Sequence, residues 1–239
     1  QPLGVDASGI KLSMDQLVNS WKHDGIDIDT NAQLFVYATA GLRLVRQDAA
    51  NLAIQTAAEE LQKDLKLSNT PTYKVITGNE EALYDWIGVN LAKPTSGLDG
   101  VLDLGGASTE IAFNVSSDPS TQLPFYLHVF DKKYLGTSYH IATQSLLGEG
   151  QNSAIASING NFPNNRAVCY PKGIWGDEAL GKPNTSADVN YNFIDCQKNV
   201  NQFFVNKKIS EELDAIHQLL PQKQSPGWRA ISGFYYSAL

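Results

Sequence analysis

Residues 101–113 read Val-Leu-Asp-Leu-Gly-Gly-Ala-Ser-Thr-Glu-Ile-Ala-Phe, and this stretch decides the fold. A mainly apolar segment at 101–104 is followed by Gly105 and Gly106, and a second mainly apolar segment covers 110–113. A strand, a tight glycine bend and a second strand are typical of a β-hairpin. The sequence therefore predicts two antiparallel strands that are joined at the glycines.

The same bend has the composition of an anion site. Successive amides at Gly105, Gly106 and Ala107 can converge on a phosphate, because no large side chain blocks its approach. Asp103 could hold a hydrated Mg²⁺ or Ca²⁺ through oxygen contacts, and Ser108 could orient a water molecule. A purely structural turn explains these residues equally well. The bend is not a P-loop, since no Gly-Lys-Ser/Thr sequence follows it.

Outside the hairpin, strand-like and helix-like segments alternate along the chain. Short apolar runs predict strands, and apolar residues three and four apart predict amphipathic helices. The predicted strands are 34–37, 73–76 and 125–130, and the predicted helices are 11–21, 48–66, 80–90 and 196–220. Such an alternation, with one glycine hairpin, indicates an α/β fold with a mixed sheet.

A second polar stretch, Ala38-Thr39-Ala40-Gly41-Leu42-Arg43, follows the first predicted strand. Its small residues let the backbone approach a ligand closely, and the Thr39 hydroxyl adds a donor. Arg43 could reach an oxyanion or pair with a carboxylate, and we favour the pairing.

The third stretch, Thr77-Gly78-Asn79-Glu80-Glu81, begins a predicted helix. Attack of water on a phosphoryl group needs an ionised base, and the positive end of a helix favours a carboxylate there. Adjacent glutamates are also ordinary composition for a helix start. Trp86 and Asn90 are predicted to serve packing and a helix-end contact.

The overall composition excludes some classes of protein. The chain has 239 residues, 42% of them hydrophobic, with 18 Lys and Arg against 25 Asp and Glu. This excludes intrinsic disorder and disfavours nucleic acid as a partner, because no basic stripe could neutralise phosphates. No apolar run reaches the 18 or so residues that span a membrane.

The two cysteines, Cys169 and Cys196, lie in a stretch rich in Gly, Pro and Asn. They lack the spacing of zinc ligands, so they are either unrelated thiols or a disulfide, and we favour the disulfide. The first residues, Gln1 to Gly4, do not form a signal peptide. We therefore expect either a removed secretion signal or a start inside a larger protein.

Three stretches in order, 37–44, 78–90 and 102–111, resemble the second, third and fourth signature regions of the apyrases, or nucleoside triphosphate diphosphohydrolases. Looser matches are 145–150, the cysteine pair and 232–236, so the resemblance covers the chain from about residue 34 to its end. It implies an actin-like (RNase H-like) two-lobed α/β fold with the nucleotide between lobes, here 1–97 and 98–239. It further implies hydrolysis of ATP and ADP with Mg²⁺ or Ca²⁺.

The resemblance also implies roles for individual residues. Glu81 would be the catalytic base, and Ser108 would position the attacking water. Asp103 and Glu110 would hold a metal through water, and the nucleobase would stack on Tyr235 or Tyr236. The phosphate contacts would come from Thr39, Ala40, Gly105, Gly106, Ala107 and Ser108.

Two departures from the family pattern matter. The first and fifth signature regions are absent from the sequence, so we expect a part of a longer protein with half of the phosphate clamp. Glu110 stands where the family usually has Gln, as in the exopolyphosphatase and guanosine pentaphosphatase relatives. Those enzymes, and a non-catalytic nucleotide-binding lobe, are the alternatives. A monomer in a secreted, periplasmic or lumenal location is expected.

Overall fold

The computed structural model describes residues 6–91, 98–115, 127–134, 136–152, 192, 194–198, 201 and 227–233. The chain divides into two compact units, residues 1–81 and residues 82–239. The division falls within one helix, after Glu81. The loop that the sequence suggests as a lobe boundary lies largely outside the described residues, so a boundary at residue 97 stays a prediction.

The first unit is built on a parallel pair of strands. Strands β1 (Phe35–Ala38) and β2 (Thr72–Val75) run parallel, with Phe35 opposite Thr72. Their connection contains two helices, as a parallel crossover requires. The helices are α1 (Ala7–His23), α2 (Ala40–Arg43), α3 (Gln47–Asp64) and the start of α4 (Gly78–Leu91). The strands predicted at 34–37 and 73–76 and the long helix at 48–66 are confirmed with small shifts.

The second unit contains a five-stranded mixed sheet. Its strands are β3 (Gly100–Leu104), β4 (Ser108–Asn114), β5 (His128–Tyr134), β6 (Thr137–Leu147) and β7 (Trp228–Ser232), in the order β5-β6-β4-β3-β7. All neighbours are antiparallel except β3 and β7. The predicted glycine hairpin is therefore β3–β4. The strand predicted at 125–130 starts at residue 128, and residues 125 and 126 lie outside the described ranges.

Alternation along the strands divides apolar side chains between two faces of this sheet. On one face, Val101, Ala112 and Ile141 pack against α4, where Leu83 and Trp86 are buried. A separate cluster, which includes Phe113, forms around Ile111 and Ala142. The predicted α/β class, with a mixed sheet flanked by helices, is confirmed.

The end of α4 is fixed by a buried amide. Asn90 Nδ2 donates to the carbonyl oxygens of Trp86 and Asp99, each at 3.0 Å, and Asn90 Oδ1 accepts the Asp99 amide at 2.7 Å. The Trp86 side chain is fully buried. The roles predicted for these two residues, packing and a helix-end contact, are thus confirmed.

None of the helices in the described ranges combines the length and apolar character needed to cross a membrane. The helix predicted at 196–220 lies mostly outside those ranges.

Candidate active site

The bend of the β3–β4 hairpin forms backbone hydrogen bonds with a second segment of the chain. We call residues 148–152 the clasp segment. Its amides donate to all three carbonyls of the bend, and its Glu149 carbonyl accepts the Thr109 hydroxyl at 2.7 Å. The amide bonds are Gly148 to Ala107 at 2.8 Å, Gln151 to Gly105 at 2.9 Å and Asn152 to Gly106 at 2.8 Å. The bend therefore has a fixed conformation.

Gly150 lies at the closest approach of the two segments. A Cβ atom there would come within 2.4 Å of the amide nitrogens of Ala107 and Ser108. Gly150 is therefore packed directly against the bend, and a larger residue there would displace one of the two segments. The Gly105 amide donates to the Ser108 carbonyl oxygen at 3.0 Å. The predicted phosphate role of Gly105, Gly106 and Ala107 stays a prediction.

Three polar residues form a row across adjacent strands. Asp103 on β3 is opposite Glu110 on β4, and Glu110 is opposite Ser145 on β6. Directly opposite residues share one face of a sheet, so the three side chains are neighbours. Ser108 lies on the same face because it is two residues from Glu110 on β4. The row continues the face that packs against α4.

The Glu110 side chain accepts hydrogen bonds from two hydroxyl groups. Its Oε1 atom accepts Ser108 Oγ at 2.5 Å and Ser145 Oγ at 2.7 Å. Ser108 and Glu110 are each only 1% exposed. A carboxylate so deeply buried needs hydrogen bonds or a cation to offset its lost hydration. The two serines supply part of that compensation.

Asp103 has the properties of a cation ligand. It is 7% exposed, and within the described residues its Oδ1 atom has no hydrogen-bond partner. A buried carboxylate oxygen without a donor, opposite a second carboxylate, fits a hard divalent cation or its hydrating water. Asp103 and Glu110 therefore fit the metal role that the family resemblance implies, and this role stays a prediction.

The two adjacent glutamates at the start of α4 have different partners. Thr77 and Glu80 form a capping box, because the Glu80 amide donates to Thr77 Oγ1 at 3.2 Å and the Thr77 amide donates to Glu80 Oε2 at 2.9 Å. Lys74 Nζ adds a bond of 2.5 Å to Glu80 Oε1. Glu80 is thereby committed to the helix terminus.

Glu81 instead pairs with Arg43 at the end of α2. Arg43 Nη1 lies 2.9 Å from Glu81 Oε2 and donates to the Ile76 carbonyl at 3.1 Å. Both side chains are 13% exposed, so the pair is largely shielded from water. The carboxylate pairing that we favoured for Arg43 is confirmed. The ion pair restrains the side chain that the resemblance assigns as the base.

Thr39 and Ala40 lie at the start of α2, in the same unit as Glu81. The Thr39 carbonyl accepts the amides of Leu42 and Arg43 at 3.0 and 3.3 Å, and Ala40 is buried. The small side chains predicted to admit a ligand are thus at a tight backbone turn. Their contacts with phosphate stay a prediction.

Three predicted residues lie outside the described ranges: Tyr235, Tyr236 and Cys169. The nucleobase contact and the disulfide between Cys169 and Cys196 therefore stay predictions.

Sequence reasoning missed the roles of Ser145 and Gly150. Both belong to the stretch 145–150, which resembled the family only loosely. The available signals were the alternation along β6 and the spacing of Gly148 and Gly150, but neither identifies the distant partner.

The capping box makes a prediction about stability. The Lys74 ammonium, followed by the Thr77 amide, lowers the pKa of Glu80 below its ordinary value of 4.5. Since the folded pKa is the depressed one, the carboxylate stabilises the fold above about pH 4.5, and this contribution is lost as the pH falls further. We expect Glu80→Gln to lower the free energy of unfolding by about 0.5–1 kcal/mol at neutral pH and by less in acid.

Urea unfolding of both proteins over a pH series measures this difference. Glu59→Gln is the matched control, because it removes a carboxylate from the exposed side of α3, where Gln55 is its hydrogen-bond donor. A difference for Glu80→Gln that stays constant into acid would contradict the prediction.

Comparison with known proteins identifies the family. The model of the GDA1/CD39 (nucleoside phosphatase) family matches residues 12–217. The chain belongs to this family, and the resemblance to the apyrases is confirmed at that level.

Two curated relatives illustrate the match. The chain is 32% identical to ectonucleoside triphosphate diphosphohydrolase 8 of Gallus gallus over 170 residues, which is 58% of this chain and 32% of the relative. It is 31% identical to the Golgi apyrase of Schizosaccharomyces pombe over 142 residues, which is 54% of this chain and 24% of the relative. The chain thus spans a quarter to a third of these relatives.

Among solved structures, the nucleoside triphosphate hydrolases from Neospora caninum are similar with a TM-score of 0.47 and 18% identity, over 70% of this chain and 36% of that chain.

Proposed function

We propose that the protein to which this chain belongs hydrolyses the terminal phosphates of nucleoside tri- and diphosphates by direct attack of water. Support comes from the family and from the names of the relatives, an apyrase and a diphosphohydrolase. The observation that carries the proposal is the hairpin itself. A glycine bend adjoins a buried carboxylate row, and phosphoryl transfer needs both an anion site and a cation site.

We assign the binding of the nucleotide's phosphate groups mainly to backbone amides. The amides of Gly106 and Ala107, with Gly105 and Ser108 beside them, would bind the terminal phosphate, and Thr39 and Ala40 would add further phosphate contacts. Fixed amides need no reorganisation when charge builds up in the transition state. The clasp segment provides this rigidity by binding the bend carbonyls.

Water activation is assigned to Glu81 and Ser108. Glu81 would take a proton from the attacking water, and the guanidinium of Arg43 favours the charged form that a base requires. Ser108 would hold the same water by its hydroxyl. Both groups act by positioning and proton transfer, so no covalent enzyme intermediate is needed.

A divalent cation, Mg²⁺ or Ca²⁺, belongs to this proposal. Asp103 and Glu110 would hold it through water. When bound, the ion would offset the negative charge of the polyphosphate.

We also propose a secreted, periplasmic or lumenal location. It agrees with the names of the relatives, a Golgi apyrase and an ectonucleoside triphosphate diphosphohydrolase, and with a disulfide between Cys169 and Cys196. The protein is proposed to act as a monomer on nucleotides and not to bind nucleic acid.

The residue at position 110 suggests a second candidate. It is Glu, where the resemblance leads us to expect Gln in an apyrase and Glu in an exopolyphosphatase or guanosine pentaphosphatase. Hydrolysis of polyphosphate or guanosine pentaphosphate is therefore the alternative activity, and a nucleotide-binding lobe without catalysis is the other one.

A substrate panel separates these functions. The full-length protein is incubated with ATP, ADP, AMP, polyphosphate or guanosine pentaphosphate, in Mg²⁺, Ca²⁺ or EDTA, and phosphate release is measured. We expect release from ATP and ADP, none from AMP, and loss of activity in EDTA. Release from polyphosphate or guanosine pentaphosphate alone would establish the alternative. Nucleotide binding without release from any substrate would establish the non-catalytic lobe.

The ion pair of Arg43 and Glu81 gives a prediction for this activity. Arg43→Met should lower kcat about tenfold and leave KM nearly unchanged, because the base loses its restraint but the phosphate contacts remain. Arg43→Lys keeps a charged donor and should lose less. Combined with Glu81→Gln, Arg43→Met should add less than about twofold, since the restrained group is already disabled. Full additivity in steady-state kinetics would contradict a role through Glu81.

A further inference from the structure

We propose that Asp15 and Asp64 form an acid-dependent latch between α1 and α3. A proton shared by the two carboxyl groups would join the helices in acid, and release of that proton to solvent would loosen α1 at neutral pH. This inference does not depend on the proposed function, because both residues lie outside the candidate active site.

Helical spacing places the two aspartates side by side. Helices α1 and α3 pack against each other, and Lys11 Nζ on α1 lies 3.1 Å from Glu60 Oε2 on α3. Asp15 and Asp64 each follow one helical turn later on the same face of their helix. The two carboxyl groups therefore come next to the Lys11–Glu60 ion pair, and Asp15 is within reach of a hydrogen bond with Asp64.

The nearby cations are engaged with a different carboxylate. Lys11 Nζ and Lys63 Nζ both bind Glu60 Oε2, at 3.1 and 3.3 Å. Asp64 Oδ2 is buried and has no hydrogen-bond partner within the described residues. Among the charged groups that act on Asp64, Lys11 favours its ionised form, whereas Asp15 and Glu60 oppose it. A buried carboxylate oxygen that lacks a donor and faces a second carboxylate is unfavourable when it is ionised.

Protonation of one aspartate removes this unfavourable contact, because a protonated carboxyl group can donate to its neighbour. Burial, followed by hydrogen bonding to Asp15, raises the pKa of Asp64 above its ordinary value of 3.8. Since the folded pKa is the higher one, the stabilisation by the proton is complete below about pH 3.8 and is lost as the pH rises through the folded pKa. At neutral pH the two carboxylates repel each other.

The packing around α1 gives this polar contact its importance. A cavity of about 470 Å³ lies between α1, α3 and the end of β1, and its walls include Ile10 and Met14 of α1. The α3 residues that line it include three small ones, Ala49, Ala53 and Ala57. Atoms that border a cavity have fewer packing partners. The docking of α1 on α3 therefore depends more strongly on the charged groups at their interface.

The test measures hydrogen exchange of the α1 amides in the full-length protein by mass spectrometry, in EDTA, at about pH 4 and about pH 7. Asp64→Asn keeps the shape of the side chain and gives Asp15 an NH₂ donor at every pH. Relative to wild type at the same pH, we expect α1 to exchange about five- to tenfold more slowly at neutral pH and within about twofold of wild type in acid. The substitution leaves the sequence of α1 unchanged, so the chemical exchange rates of its amides cancel in this comparison.

Two further variants complete the experiment. Asp15→Asn supplies the donor from the other helix, so it should slow the exchange of the remaining α1 amides in the same pH-dependent way. Glu59→Gln is the matched control, because it removes an exposed carboxylate of α3 whose hydrogen-bond donor is Gln55. It should leave α1 exchange unchanged at both pH values.

Two results would overturn the latch. Unchanged or faster exchange of α1 in Asp64→Asn at neutral pH would show that the aspartate pair does not limit the docking of α1. Equal slowing at both pH values would show that the asparagine acts independently of a shared proton. Either result leaves the proposed phosphate hydrolysis unaffected, because hydrogen exchange does not depend on turnover.

Discussion

Glu81→Gln should lower kcat for ATP by about a thousandfold or more and leave KM within a few-fold, because the amide keeps the shape but cannot take a proton. The structure indicates that this substitution would keep the hydrogen bond to Arg43, so the loss of kcat would report on proton transfer. Arg43 Nη1 bonds to Glu81 Oε2, and a glutamine oxygen can accept the same bond. The measurement is steady-state phosphate release by the full-length protein, with nucleotide affinity measured separately.

The adjacent glutamate provides the matched control. Glu80→Gln makes the same chemical change one residue earlier on α4, but Glu80 is engaged with Thr77 and Lys74 at the helix terminus. It should change kcat by no more than about twofold, since only local stability is affected. Near-normal turnover of Glu81→Gln, or an equal loss in Glu80→Gln, would remove Glu81 from the base role.

This pair of glutamates shows what a sequence can and cannot resolve. Local spacing was enough to expect a helix and two acidic residues in its first turn. The Thr77-x-x-Glu80 spacing is a capping-box pattern that already marks Glu80 as structural. The partner of Glu81, in contrast, is 38 residues away. Only the folded chain brings Arg43 to it.

The hairpin was predictable for a similar reason. Short apolar runs and paired glycines are local signals, and they correctly predicted the strands β3 and β4. The contacts of Ser145 and Gly150 depend on the register between β4 and β6, which joins residues 35 positions apart in the Glu110–Ser145 bond. Register between distant strands is set by tertiary packing, so the sequence alone did not place these two residues at the site.

Gly150→Ala should damage both the fold and the activity. The new Cβ would lie 2.4 Å from the amide nitrogens of Ala107 and Ser108 and 2.5 Å from the Gly106 carbonyl carbon. These are backbone atoms, so no side-chain rotation can relieve the overlap, and the bend or the clasp segment must move. We expect the free energy of unfolding to fall by about 1–3 kcal/mol, as in other overpacked sites. Because the amides assigned to phosphate move with the bend, kcat/KM should fall about a hundredfold.

A second glycine in the clasp segment separates these two effects. Gly148 has φ of +89°, but a Cβ there would meet nothing within 4 Å. Gly148→Ala should therefore cost about 1–3 kcal/mol of backbone strain while leaving the bend in place, so turnover of the folded protein should stay within a few-fold of wild type. Urea unfolding and steady-state kinetics on both variants provide the comparison. If Gly150→Ala kept wild-type turnover, the bend could not be where phosphate binds. If Gly148→Ala lost as much activity as Gly150→Ala, the loss would reflect the stability of the clasp segment and not the position of the bend.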